Sequence, residues 1–159
     1  MTDAETPDPE HLAPDELRIE REGRGSYLVR NGRGGRMRVA YEGSADSFTP
    51  IELLRLATGL CAALSADHVL ASRLGEGFAA TVETDARIEA AGSPTERRIA
   101  ELSTRIVAEA GGLDPERRAP LVERAEAAVD RLCAVGRTVE QGAAVRTEVV
   151  VEPRAASRD

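Results

Sequence analysis

Residues 49–74 read TPIELLRLATGLCAALSADHVLASRL, and this stretch decides the fold. It begins with the Thr-x-x-Glu form of a capping box, from Thr49 to Glu52, with proline at the first helical position. Apolar residues then recur at helical spacing until the pattern stops at Gly75. The sequence therefore predicts one long helix that is apolar enough to be buried on more than one side.

Alternating apolar and polar residues predict strands on both sides of this helix. Before it, three strands separated by glycine-rich turns are predicted at residues 16–22, 26–30 and 36–42. After it, residues 78–90 alternate almost without fault, as expected of a strand with one face in solvent. Residues 99–109 fit a helix or a strand, and we interpret them as the hairpin partner of 78–90.

A second helix is predicted from Asp114-Pro115 to about Leu132, and a last strand at residues 144–151. The predicted order is therefore β-β-β-α-β-β-α-β. Two apolar helices and a sheet with one polar face indicate an α+β fold in which the helices pack on sheets.

The composition predicts one compact domain with a polar segment at each end. Residues 1–15 are acidic and proline-rich, which is typical of a disordered arm, and residues 153–159 are interpreted as a flexible tail. Residues 16–152 are then the single folded domain. With 3% aromatic residues and no tryptophan, its core must be built from Ala, Val, Leu and Ile.

The charge and hydropathy of the sequence limit the kinds of partner that this protein is expected to bind. The net charge is −7, with both signs interspersed, which argues against a general nucleic-acid binder. No apolar run approaches the roughly 20 residues of a membrane helix, and the N-terminus lacks the pattern of a signal peptide. We therefore expect a cytoplasmic protein with no membrane partner.

Cys61 and Cys133 are the candidate chemical residues, each on the apolar side of a predicted helix. They are 72 positions apart, so only the fold can bring them together. Two cysteines do not suit a disulfide framework in a reducing compartment or a structural zinc site of four ligands, and no metal or cofactor is expected. From the residues alone, each could be an inert buried thiol.

The spacing around these cysteines resembles that of the OsmC/Ohr-like family. The shared elements are a Pro-x-Glu-Leu-Leu helix start, a cysteine nine residues after that glutamate, and a second cysteine at the end of a later helix, followed by Arg-Thr. In this chain they are Pro50, Glu52, Leu53, Leu54, Cys61, Cys133, Arg137 and Thr138.

The resemblance implies an intertwined homodimer with the helices between sheets. It also implies reduction of organic hydroperoxides, with Cys61 as the attacking thiol and Cys133 as the resolving thiol. A thiolate attacks the peroxide, and the resulting sulfenic acid condenses with the second thiol to a disulfide. An external thiol reductant would then restore the enzyme.

The chain departs from the peroxide-reducing members at three places. Ile51 stands where they carry an additional glutamate, and Glu52 is explained by the capping box, with a catalytic role as the alternative. Ala40 stands where they carry an activating arginine, and the nearest substitute is Arg38, on the same predicted strand face. Their Cys-Pro-x-Ser segment reads Cys-Ala-Val-Gly here, at residues 133–136.

These departures leave two hypotheses open. Burial raises the pKa of a thiol, and Cys61 lies mid-helix, so the N-terminal dipole of its own helix offers little help. Without a positioned arginine Cys61 would be a slow nucleophile. The chain is then either an OsmC-like thiol peroxidase or a protein of the same fold without peroxidase activity that binds a small apolar ligand or a partner at the dimer cleft.

Overall fold

Two antiparallel sheets and three helices form the fold in the computed structural model, which describes residues 12–93 and 96–151. The predicted α+β class is confirmed, and so is the order of the first seven elements. In chain order the elements are β1 (Leu17–Gly23), β2 (Ser26–Asn31), β3 (Arg36–Ala40), α1 (Pro50–Leu74), β4 (Ala80–Ala90), β5 (Arg97–Ala108), α2 (Pro115–Leu132) and α3 (Ala134–Gln141).

Helix α1 begins and ends where its sequence predicts. Thr49 is the N-cap: its hydroxyl accepts the N–H of Glu52 at 3.3 Å, and the Glu52 carboxylate accepts the N–H of Thr49 at 2.7 Å. Gly75 ends the helix with φ +94°, a conformation that a side chain would strain. The reciprocal cap satisfies two N–H groups that would otherwise have no helical partner.

The first sheet has the order β1-β2-β3 and makes few contacts with the helices of its own chain. Its register pairs Leu17 with Asn31 and Tyr27 with Val39. Leu17 and Ile19 on β1 are exposed. In a single copy of the chain this sheet therefore leaves apolar side chains uncovered.

The second sheet, β4-β5, is the surface on which α1 packs. Gly59 makes the approach possible, because a Cβ at this position would lie 2.4 Å from Thr84 Cγ2 and 3.3 Å from Val82 Cγ1. Arg55, one turn earlier, donates to the carbonyl oxygen of Thr84. Close packing at Gly59 therefore sets the distance between α1 and β4.

The buried core lies where α1 meets α2. Its buried members are Ala66, Leu70, Leu121 and Ala125, and Ile106 packs against them from β5. Small residues on both helices let the helix axes come close. As the composition predicts, aliphatic residues build this core.

The C-terminal segment corrects one prediction. Residues 144–151 form no strand, because no strand in the described part of the chain lies alongside them to accept their hydrogen bonds. Their valines are exposed, Val145 at 87% and Val151 at 91%. The short helix α3, which the sequence analysis did not predict, lies between α2 and this segment.

The chain ends are described only in part. Of the arm predicted at residues 1–15, residues 1–11 lie outside the described residues. In the part that is described, Leu12 is buried, and Arg33 donates to the carbonyl oxygen of Pro14 at 2.7 Å. The predicted tail at residues 153–159 also lies outside them. The division of the chain into arm, domain and tail stays a prediction.

Candidate functional site

The fold brings the two cysteines together. Cys61 lies in the middle of α1 and is partly exposed, while Cys133 is buried at the junction of α2 and α3. Both thiols are free, and each is among the groups that shift the pKa of the other. The fold thus brings two residues near each other that are separated by 71 others in the sequence.

Cys133 has two structural roles at the helix junction. Its N–H donates to the carbonyl oxygen of Val129 at 2.8 Å, which closes α2. Its sulfur accepts the N–H of Gly136 at 3.3 Å, which caps the N-terminus of α3. A Cβ at Gly136 would lie 3.1 Å from that sulfur, so glycine leaves the space in which the sulfur sits.

The surroundings of Cys61 favour its thiolate. The main-chain N–H of Val135 contributes most to lowering the pKa of this thiol, and contacts with Cys133, the N–H of Ala134 and Ser65 act in the same direction against the effect of burial. Both N–H groups belong to the first turn of α3. The N-terminus of α3 therefore lowers the pKa of Cys61, an effect that the N-terminus of α1 cannot have because Cys61 lies in the middle of that helix.

The pKa of the Cys133 thiol is shifted in the opposite direction. Burial raises the pKa of its thiol, and the neighbouring Cys61 raises it further, against the opposing effect of the Gly136 N–H and of Arg137. Arg137 is held near this junction by a hydrogen bond from Nη1 to the carbonyl oxygen of Arg131 at 2.8 Å. Cys61 therefore loses its proton first, while Cys133 stays protonated and can donate to it.

Arg38 lies on β3 in a surface ion-pair cluster. Its guanidinium binds Glu22 and Asp46, in each case at 2.7 Å. These carboxylates raise the pKa of Arg38. Arg38 lowers the pKa of Glu22, and the Ser44 hydroxyl, followed by Arg38, lowers the pKa of Asp46. The hydrogen bonds of its guanidinium go to Glu22 and Asp46, and Arg38 is not among the groups named as shifting the pKa of Cys61 or Cys133.

Glu52 serves the helix cap. Its carboxylate accepts hydrogen bonds from the N–H of Thr49 and, at 2.9 Å, from the Thr49 hydroxyl. These bonds lower its pKa, the main-chain bond contributing most. The interpretation of Glu52 as a capping residue agrees with this geometry.

The sequence analysis missed the polar groups around Cys61, although signals for them exist. Ser65 lies four residues after Cys61, one turn away on the same helix face, and its hydroxyl donates to the Cys61 carbonyl at 2.7 Å. Helix α3 ends before Gly142, which has φ +73°, and a glycine after a short periodic segment is a helix stop signal. Val135 and Val139 supply the helical spacing in that segment.

Neither a metal site nor a membrane span is supported by the geometry. Within residues 12–93 and 96–151, no three His, Cys, Asp or Glu side chains are grouped so that they could hold a metal ion. Helix α1 has the length and hydropathy of a membrane span, which corrects the expectation that no stretch of the sequence is long and apolar enough; core helices of soluble proteins meet the same criteria. Here α1 packs on β4, β5 and α2.

Comparison with known proteins identifies the family to which this fold belongs. The family model for OsmC-like proteins matches residues 43–148. The chain belongs to the OsmC-like family. The proteins of this family are soluble, which agrees with the expectation that this protein is soluble. Uncharacterized proteins of Mycobacterium tuberculosis strain H37Rv and of Mycobacterium bovis are each 32% identical to it over 135 residues, which cover 85% of this chain and 96% of theirs.

Solved structures share the OsmC-like fold. A hypothetical protein from Aquifex aeolicus VF5 aligns with a TM-score of 0.59 at 16% identity, over 82% of this chain and 89% of that one. An OsmC-like protein from Mycoplasma pneumoniae aligns with 0.57 at 10% identity, over 79% and 86%. A protein from Psychrobacter arcticus 273-4, described as an osmotic stress induced and detoxification response protein, aligns with 0.56 at 17% identity, over 81% and 89%.

Proposed function

We propose that this OsmC-like protein is a cytoplasmic, cysteine-dependent peroxidase that reduces organic hydroperoxides in a stress or detoxification response. The observation that carries the proposal is that two free thiols on α1 and at the start of α3, two helices that pack together, affect each other's pKa, which is lowered for Cys61 and raised for Cys133. The described role of the Psychrobacter arcticus neighbour supports the stress context.

The chemistry follows from the two thiols. The Cys61 thiolate attacks the terminal peroxide oxygen, the O–O bond breaks, and the alkoxide takes a proton to leave as the alcohol. The resulting Cys61 sulfenic acid is attacked by the Cys133 sulfur, which forms the S–S bond and releases water. An external dithiol then reduces the disulfide by thiol–disulfide exchange and is itself oxidised.

The test is a stoichiometric oxidation. One equivalent of cumene hydroperoxide is added to the fully reduced protein, the alcohol product is quantified, and the Cys61–Cys133 disulfide is mapped by mass spectrometry. We expect one alcohol and one disulfide per chain. A reduced protein that leaves the hydroperoxide intact and forms no such disulfide would contradict the proposal.

Two variants separate the roles of the thiols. Cys61→Ser is expected to leave the hydroperoxide unreduced. Cys133→Ser is expected to release one equivalent of alcohol and to stop at a Cys61 sulfenic acid, which dimedone traps. Trapping at Cys133 in the Cys61→Ser variant would reverse the two roles.

We also propose that two copies assemble as a homodimer. On α1, Leu60 and Leu64 are 55% and 75% exposed, and on the first sheet Leu17 and Ile19 are exposed as well. Exposed leucines in consecutive turns form a continuous apolar stripe, which soluble proteins usually cover with a partner. The exposed valines of residues 144–151 add strand-forming sequence that finds no partner strand in the described part of its own chain.

Oligomeric state tests the homodimer directly. Light scattering after size exclusion is expected to give twice the chain mass for the wild type and one chain mass for Leu64→Glu. Glu126→Gln, on the exposed side of α2, is the matched control and is expected to stay dimeric. A monomeric wild type at micromolar concentration would contradict the proposal.

A second candidate function is binding of an apolar ligand, and one feature favours it. A groove of ≈ 500 Å³ lies between α1, β5 and α2, with Leu70, Ile106 and Leu121 among its lining residues. This volume lies within the usual range for small-molecule sites. Val122 also lines the groove and is exposed, so its replacement leaves the core intact. Binding of an apolar fluorescent probe that Cys61→Ser leaves unchanged and Val122→Arg abolishes would favour this function; loss of binding in Cys61→Ser would count against it.

A further inference from the structure

Helices α2 and α3 are separated by a single residue, Cys133, which has φ −71° and ψ 92°. Its N–H donates to the Val129 carbonyl and closes α2, while its sulfur accepts the Gly136 N–H at 3.3 Å and caps α3. A Cβ on Gly136 would lie 3.1 Å from that sulfur, so the turn leaves it little room to move. The direction of α3 and the position of the sulfur are therefore set at the same residue.

Arg137 spans this junction with two hydrogen bonds. Its own N–H donates to the Cys133 carbonyl at 3.2 Å, and its guanidinium Nη1 donates to the Arg131 carbonyl at 2.8 Å. Among the hydrogen bonds of residues 12–93 and 96–151, only the second joins a residue of α3 to a residue of α2. The last carbonyls of a helix have no partner within it, and a cation there also meets the negative end of the helix dipole. The Arg137 side chain thus ties α3 to the last turn of α2.

We propose that Arg137 is a positioning residue for the resolving step: it holds α3 on the end of α2 and so keeps the Cys133 sulfur in the place from which it attacks Cys61. The inference rests on the proposed function, because Cys133 needs a fixed position only if it resolves a sulfenic acid. In that step the Cys133 sulfur attacks the sulfur of the Cys61 sulfenic acid, the S–O bond breaks and the S–S bond forms. The thiol proton leaves with the hydroxide as water, and the hydroperoxide that made the sulfenic acid is the oxidant.

The replacement Arg137→Met tests the inference, because it removes the guanidinium and keeps an apolar stem. Arg137 is exposed, so the change leaves the core intact. The matched control is Arg131→Met, which removes a guanidinium from the same junction but keeps the carbonyl that accepts the bond. Arg137→Lys keeps the charge and a donor on a long stem, and is the conservative rescue. Circular dichroism and thermal melting establish that each variant is folded.

The first readout is the fate of the Cys61 sulfenic acid. One equivalent of cumene hydroperoxide is added in the presence of dimedone, and intact-mass spectrometry gives the ratio of dimedone adduct to disulfide. We expect Arg137→Met to raise this ratio about fivefold, which equals about 1 kcal/mol, the size of one hydrogen bond. The rate of alcohol release is expected to stay unchanged, because Cys61 lies on α1, whereas a general loss of structure would slow both steps. Arg131→Met and Arg137→Lys are expected to behave as wild type.

The second readout needs no hydroperoxide. Hydrogen exchange of the Gly136 N–H in the reduced protein is expected to accelerate by about the same factor in Arg137→Met and to stay unchanged in Arg131→Met. If Arg137→Met does not fold, Arg137→Gln, whose amide is too short to reach the carbonyl, gives the same comparison.

Two results would overturn the inference. One is a folded Arg137→Met variant in which the adduct ratio or the exchange rate equals that of the wild type. The other is an equally large change in Arg131→Met. A protein with the expected exchange rates that leaves cumene hydroperoxide intact would instead refute the peroxidase function, and the placement of Cys133 by Arg137 would stand.

Discussion

Replacement of Gly59 by alanine tests the packing that sets the position of α1 over β4. The added Cβ would lie 2.4 Å from Thr84 Cγ2, a distance that real structures do not tolerate, and 3.3 Å from Val82 Cγ1. Either α1 moves away from β4 or the Thr84 side chain turns. Both responses disturb the helix two residues before Cys61.

Two opposing effects decide the magnitude. Overpacking of a closely packed contact costs about 1–3 kcal/mol. Alanine in place of glycine in a helix contributes about 1 kcal/mol in the stabilising direction. We expect Gly59→Ala to lower the free energy of unfolding by about 1 kcal/mol, which lowers the Tm by roughly 2–4 °C in a chain of this size.

The assay is urea unfolding, at one protein concentration, of Gly59→Ala, Thr84→Ser and the double variant. Thr84→Ser removes only the methyl group that clashes. The double variant is expected to be more stable than Thr84→Ser alone, because the helix gain then remains without the clash. A Gly59→Ala variant as stable as wild type, with no coupling between the two positions, would refute the close contact of α1 with β4.

Three further outcomes follow from the structure. Thr49→Ala is expected to lower stability by ~1 kcal/mol through loss of the N-cap, whereas Thr49→Ser stays near wild type in an unfolding titration. Arg38→Gln is expected to leave the pH midpoint of Cys61 alkylation unchanged, and a midpoint raised in this variant would place the guanidinium near the thiol. When diamide oxidises Cys61 and Cys133 to a disulfide, the Gly136 N–H loses the Cys133 thiol as its acceptor. Hydrogen exchange of this N–H is then expected to accelerate at least ~10-fold; equal exchange in both redox states would contradict the capping role of the Cys133 sulfur.

Local signals in the sequence were sufficient for most of the fold. The capping box at Thr49 and the glycine at position 75 fix both ends of α1, because each acts on its nearest main-chain groups. The alternation in residues 78–90 requires only that one face be buried. The choice of a strand for residues 99–109 was confirmed: β5 pairs with β4 along its length.

The C-terminal prediction failed because a strand needs a second segment as well as its own pattern. Val145 and Val149 have the alternation of a strand, but their backbone lies beside no other strand in the described part of the chain. Alternation reports which side chains could share a buried face. It carries no information on whether a neighbouring strand edge lies within reach.

The chemistry at Cys61 could not be predicted for a related reason. Its position in the middle of α1 correctly excludes help from the N-terminus of its own helix. The main-chain N–H groups that lower the pKa of its thiol belong to α3, more than 70 residues later, and main-chain groups leave no mark in the side-chain pattern. They depend on the turn at Cys133, where α2 ends and α3 begins. The absence of an arginine at position 40 is therefore insufficient to make Cys61 inert, because the field of a helix terminus can lower the pKa of a thiol without any charged side chain.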